Sequence, residues 1–244
     1  MNARRTFATT GRVLSQIRHD PRTIALLLFV PTLLIGLVAW IFSDTEVFAS
    51  IGPAMIALFP FIVMFLVTSI ATLRERRTGT LERLLSMPLG RGDFLLGYTL
   101  AFSALAIVQA SIAVAFAVWV CGLEISGSVW LLIVVALMDA ILGTTLGLLA
   151  SAFARTEFQV VQFMPALVFP QILLGGIFLP RDQLPEFLRV LSDWLPLSHA
   201  IDALNAVASG SHDAAYVWGE IGILAAFAVG AVVLGSITLR RRTP

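Results

Sequence analysis

"LRERRTGTLERLLSMPLGRGD", Leu73 to Asp93, carries five arginines and three carboxylates between two long apolar stretches. The chain around it has 244 residues, is 58% hydrophobic and has a mean hydropathy of +0.93. Only 13% of its residues are charged, about half the roughly 25% of a soluble domain. A soluble fold of this composition would leave too much apolar surface in water. The composition therefore places the chain in a membrane and makes the charged stretch a loop between two spans.

A bilayer core needs about 20 apolar residues as a helix. Six segments qualify: Thr23–Phe42, Ile51–Thr72, Phe94–Leu123, Val129–Phe153, Phe158–Leu179 and Val217–Leu239. All sixteen cations are arginine, and the chain has no lysine. Fourteen of the sixteen fall in four regions: residues 1–22, the loop 73–93, the loop carrying Arg155, and the tail 240–244. With six spans and the N-terminus inside, all four are cytoplasmic, as the positive-inside rule requires. Arg181 and Arg189 are left outside, where most of the acids also fall. The twin arginines Arg4 and Arg5 lie well ahead of the first apolar run. That run also exceeds the ~7–15 residues of a signal-peptide core, so it is expected to stay as a span. Cys121 is the single cysteine, so no disulfide forms within the chain.

Before the first span, Val13, Leu14 and Ile17 share a helical face, with Phe7 upstream. They predict an amphipathic helix on the cytoplasmic membrane surface within residues 1–22. Asp20-Pro21 reads as the N-cap and first residue of span 1. Inside the charged loop, Leu81, Leu84 and Leu85 follow the i, i+3, i+4 pattern. Thr78 or Thr80 can cap a helix of about two turns there, and Pro88 and Gly90 end it. Asp93 is expected to cap span 3. So short a helix is unstable alone in water, so its leucine face needs support. The bilayer surface can supply it, the arginines then only fixing topology; the other possibility is a cytoplasmic partner.

Thr68–Phe102, "TSIATLRERRTGTLERLLSMPLGRGDFLLGYTLAF", resembles the most recognisable segment of the type-2 ABC transporter permeases, the membrane subunits of bacterial exporters of the daunorubicin-exporter-like kind. "GGIFLPRDQLPEFLRVLSDWLPLSHAIDAL", Gly175–Leu204, is similar to that family's outer segment, and "RHDPRT" before span 1 also fits. The resemblance implies an all-α integral membrane fold: six transmembrane helices, both termini cytoplasmic, a coupling helix in the loop, and a re-entrant outer segment at 180–216. It implies that Glu75, Arg76, Arg77, Thr80, Leu81, Glu82, Arg83, Leu84 and Leu85 meet a cytoplasmic ABC ATPase, present in two copies. A second permease copy or a paralogue would complete the unit. ATP and Mg belong to the ATPase, and this chain is expected to bind no cofactor or nucleic acid. The expected place is a bacterial inner or plasma membrane. A standard Walker A site needs a lysine, which these residues lack. The expected cargo is an amphiphilic drug or lipid-like molecule. A polysaccharide, or a scaffold that docks a non-ATPase partner, stays open.

Asp139 is the single carboxylate well inside a span, near mid-bilayer, and an intramembrane acid is a functional candidate by default. Gln109, Asp139, Gln162 and Gln171 are the expected polar points of a substrate pathway. The alternative for Asp139 is a bond between helices, with Gln109, Thr144 or Gln162 as partner. Prolines at 53, 60, 165 and 170 make spans 2 and 5 the candidates for a pathway or dimer interface. Gly143 and Gly147 form a GxxxG packing signal in span 4. In the outer segment, the apolar face of 184–195 predicts one amphipathic helix on the surface, where the family resemblance implies short re-entrant helices, with Trp194 as an interfacial anchor and Pro196 ending it. Ser198, His199 and Asp202 lack a shown convergence for hydrolysis, and His199 and His212 read as surface or interfacial residues. No HExxH metal motif is present.

Overall fold

The computed structural model describes residues 3–43, 46–77 and 91–238. Among them are nine α-helices, one 3-10 turn and no strand. The helices are α1 (Ala3–Arg18), α2 (Pro21–Ile41), α3 (Val47–Arg77), α4 (Arg91–Trp119), α5 (Val129–Phe153), α6 (Glu157–Leu174), α7 (Glu186–Asp193), α8 (Pro196–Ser209) and α9 (Ala214–Thr238). Six of them, α2 to α6 and α9, are long and apolar enough to cross a membrane. The fold is the expected all-α, six-span arrangement, and span 4 has the predicted limits. Two spans stop earlier than expected. α4 ends at Trp119, before Gly122 takes a left-handed φ of 73°, and α6 ends at Leu174, before Gly176 at 85°. Each glycine supplies a reversal that other residues resist.

The centre of the bundle is the pair α3–α5. Both are buried over much of their length, whereas α2 and α6 turn large apolar residues such as Phe29, Leu33, Phe169 and Leu173 outward. The two spans singled out by their prolines therefore differ: α3 belongs to the central pair, and α6 is peripheral. Gly143 and Gly147 explain the close α3–α5 crossing. A Cβ at Gly143 would lie 2.6 Å from the Phe61 carbonyl oxygen, and one at Gly147 would lie 2.5 Å from that of Phe65. The shared step of four also shows that α3 and α5 run parallel, which sets Asp139 level with Ala57.

Asp20 caps α2 as expected. Its carboxylate accepts from the Thr23 backbone N–H at 3.2 Å and from the Thr23 hydroxyl at 2.6 Å, with Pro21 at the first helical position. Asp93 instead lies inside the first turn of α4, where its charge still favours the helix dipole. α1 packs on the start of α4 through Thr6, Thr9, Val13 and Ile17, and Phe7 is exposed. The packed face thus includes two threonines that hydropathy passes over. Gly97 explains it: a Cβ there would lie 2.6 Å from the Thr9 side chain, and the Thr10 hydroxyl donates to the Gly97 carbonyl at 3.1 Å.

The outer segment is broken into two helices. Pro196 starts α8 rather than ending a helix, and α8 is buried along most of its length. The Gln171 side-chain oxygen accepts from the Leu197 N–H at 3.0 Å, which caps the start of α8. At its other end, Ser126 and Gly127 donate backbone N–H groups to the Ala208 and Val207 carbonyls at 2.8 and 3.1 Å. α7 leaves Phe187 and Val190 exposed, as is Trp194 just after it, consistent with an interfacial anchor.

Candidate functional site

The arginine-rich end is organised by three consecutive residues at the close of α3. Successive helical positions turn by about 100°, so Arg74, Glu75 and Arg76 face three directions. Arg74 forks onto Glu157 at the start of α6, with Nε and Nη2 at 2.8 and 3.2 Å from its two oxygens. Glu75 accepts from Arg12 of α1 at 3.1 Å and from Gln16 at 3.2 Å. Arg12 also donates to the Tyr98 hydroxyl of α4 at 2.9 Å. Arg76 donates to the Ser151 carbonyl in the last turn of α5, where a cation also complements the helix dipole. Arg77 is exposed.

The Arg74–Glu157 pair is largely in solvent, and exposed pairs contribute only about 0–1 kcal/mol. Its importance is geometric. The root of the charged loop is tied to α6, α1 and α5 by three adjacent side chains, and through Arg12 to α4. A displacement of this root has a direct route into four helices. Of the expected coupling residues, Glu75, Arg76 and Arg77 belong to this root. Thr80, Leu81, Glu82, Arg83, Leu84 and Leu85, with the short helix predicted around them, lie outside the described residues.

The four expected pathway residues do not converge. Gln109 of α4 donates to the Leu27 carbonyl of α2 at 2.9 Å. Gln171 donates to Leu167 within α6 and caps α8, and Gln162 is exposed. Asp139 is fully buried, and neither carboxylate oxygen has a hydrogen-bond partner among the described residues. Thr144 donates to the Ala140 carbonyl at 3.0 Å, so the three partners considered for Asp139 each stand elsewhere.

At the opposite end, Arg181 donates to Asp193 of α7 and Asp202 of α8, joining the outer segment to itself. His199 is buried rather than at the surface, 8% exposed. Its Nδ1 lies 2.7 Å from a Glu220 carboxylate oxygen of α9, and its Nε2 lies 2.9 Å from the Asp193 carbonyl. Both ring nitrogens face acceptors, an arrangement that suits the protonated ring. The hydrogen bond to Glu220 raises the His199 pKa against the opposing effect of burial, and the Asp193 carbonyl adds to the rise. The Ser198 hydroxyl meets Ser192 at 3.1 Å rather than His199, so the two do not form a nucleophile–base pair. No group of His, Cys, Asp and Glu among the described residues could hold a metal ion. The His199–Glu220 bond escaped sequence reading because its partners are 21 residues apart on different helices.

The comparisons with known proteins agree with this architecture. The chain is 28% identical over 169 residues to "Probable multidrug ABC transporter permease YbhR" of Escherichia coli, covering 69% of this chain and 46% of that protein. It is 26% identical over 182 residues to "Linearmycin resistance permease protein LnrN" of Bacillus subtilis, covering 74% and 47%. It is 26% identical over 157 residues to "ABC transporter G family member 20" of Dictyostelium discoideum, covering 64% of this chain and 22% of that protein. The chain thus matches less than half the length of each of these relatives. The family model described as "ABC-2 type transporter" matches residues 4–208, most of the chain, and with six candidate spans in place the chain belongs to the ABC-2 type transporter family.

Proposed function

We propose that this chain is the membrane permease subunit of an ATP-driven exporter, powered by an ATPase on a separate polypeptide. The observation that carries the reading is the root of the charged loop, where Arg74, Glu75 and Arg76 each hold a different helix. Such a root suits a loop that receives motion from outside the membrane and passes it into the bundle. The leucines at 81, 84 and 85 dock the ATPase, two ATPases serve two permeases, and their closure rocks the bundles to expose a central path. The arginine-rich end faces the cytoplasm, as the positive-inside rule supports. ATP and Mg are held by the ATPase. The cargo is an amphiphilic drug or lipid-like molecule, a choice supported by relatives whose names refer to multidrug transport and linearmycin resistance. Gln109 and Gln171 then hold proline-bearing helices in place, and Asp139 is the remaining candidate for a polar point on the path.

The test is purification of the tagged chain from its native membrane in mild detergent, with identification of every stoichiometric partner. A P-loop ATPase that co-purifies, and is lost with Leu84→Glu while membrane insertion is kept, supports the reading. Recovery of the intact chain without an ATPase across several detergents overturns it.

A further inference from the structure

A cavity of about 660 Å³ opens at the arginine-rich end between α1, α2, α3 and α4. Along α3 its wall runs from Val63 to Glu75, which at ~1.5 Å per residue is about 18 Å. The deep part is apolar, formed by Val30, Val63, Leu66, Val67 and Phe102. The polar groups gather at the mouth: Gln16, Asp20, Thr23, Arg74 and Glu75. A volume of this size, with apolar walls and a few placed polar groups, has the form of a small-molecule site. None of Gln109, Asp139, Gln162 and Gln171 lines it.

The mouth also has a sign. Arg74 is matched by Glu157, and Glu75 by Arg12. Asp20 accepts from the Thr23 hydroxyl and backbone N–H and from the Arg22 backbone, and Arg74, already forked onto Glu157, is the cation that acts on it. Among these described groups two arginines, Arg12 and Arg74, thus face three carboxylates, Glu75, Glu157 and Asp20, which leaves one negative charge on the Asp20 side of the rim. Arg22 is exposed and outside the lining, and Arg18 and His19 line a separate depression with Gly11, Leu14 and Ser15. Hydrogen bonds from the Thr23 side chain and backbone hold the Asp20 carboxyl below the usual range, so its charge is present at neutral pH.

We infer that this cavity binds a single-chain amphiphile with a cationic head, its tail along α3 between Val63 and Ala71 and its head beside Asp20. The tail enters from the leaflet at the arginine-rich end. The site stands apart from the transport reading, because it requires neither an ATPase nor movement.

The experiment uses the full chain in phosphatidylcholine nanodiscs. The probes are hexadecyltrimethylammonium and hexadecyl sulfate, each carrying the same photoreactive diazirine in its tail, and labelled peptides are mapped after illumination. The ammonium probe is expected to label residues 23–30 and 63–71 saturably, at least fivefold more than the sulfate probe. Asp20→Asn keeps an N-cap residue but removes the charge, and is expected to lower ammonium labelling several-fold without changing sulfate labelling. Val67→Phe, which narrows the cavity, lowers both. Equal labelling by the two heads that Asp20→Asn leaves unchanged overturns the inference. So does labelling spread evenly over outward residues such as Leu173 and Val229, which marks bulk lipid contact. Cross-links from residues 63–71 to a second copy of the chain would give the cavity to that copy, and would equally overturn it. Binding is read without ATP, so failure here leaves the permease reading untouched.

Discussion

The side-chain amide of Gln109 lies 2.9 Å from the carbonyl oxygen of Leu27, and Leu27 is the residue whose carbonyl Pro31 leaves without its helical donor. Proline has no N–H to give to the carbonyl four residues earlier, and in a membrane no water replaces it. A glutamine 82 residues further along the chain completes the hydrogen bonding of α2.

The pairing predicts a double-mutant result. Gln109→Leu should destabilise the chain by about 1–3 kcal/mol, the cost of an unsatisfied buried acceptor. Pro31→Ala returns an N–H to the Leu27 carbonyl, so Gln109→Leu should cost clearly less in that background. Unfolding in mixed detergent measures both. Equal costs in the two backgrounds would show that Gln109 acts elsewhere.

The α3–α5 crossing predicts a size limit. A methyl group at Gly143 or Gly147 would meet the Phe61 or Phe65 carbonyl below 3 Å. Backbone cannot give way as a side chain can, so Gly147→Ala should destabilise by roughly 1–3 kcal/mol, and Gly147→Val by more. Gly219, where a Cβ would meet nothing within 4 Å, is the internal control. Gly219→Ala should leave the midpoint close to that of the wild type.

His199 predicts a pH dependence. Its folded pKa is raised, chiefly by Glu220, from an ordinary value of 6.5. The stabilisation it contributes is therefore complete below about pH 6.5 and is lost as pH rises through the folded value. The groups around it are Glu220 of α9, Asp193 of α7, Asp202 of α8 and Arg181, and Arg181 opposes the rise. The melting temperature should fall between pH 6 and pH 9. That fall should shrink in His199→Gln. An undiminished fall in the variant would assign the effect to other groups.

Asp139 separates a structural from a transport role. A carboxyl group enclosed without a hydrogen-bond partner costs about 1–3 kcal/mol even when neutral. Asp139→Asn keeps the shape without the charge, and should fold at least as well as the wild type. Retained stability with lost export would give Asp139 a part in cargo movement; a clear loss of stability would instead make it structural.

The six spans were legible because each is a long run of apolar residues, a signal contained within the run itself. The cap of α2 was legible for the same reason: Asp20, Pro21 and Thr23 are neighbours. The burial of α8 was not, because an amphipathic stretch reads alike on a surface or inside a bundle. What decides it is the cap from Gln171 and the two donors at 126 and 127. GxxxG at 143–147 indicated a packing face, but the partner carbonyls at 61 and 65 carry no side-chain signal. The root of the charged loop was half legible. Its charges were plain, but the partners of Arg74, Glu75 and Arg76 lie 83, 63 and 75 positions away.

If the loop following Arg77 meets an ATPase and its root carries motion into the bundle, as proposed, that loop lies against the ATPase in the native membrane. The most direct measurement is photo-crosslinking in the native membrane from a benzoylphenylalanine placed at Leu84, with Phe187 on the exposed face of α7 as the opposite-end control. An adduct between this chain and a P-loop ATPase is expected from position 84 and none from position 187. An adduct from position 84 that contains no ATPase, or the same adduct from both positions, would rule out docking of an ATPase at this loop.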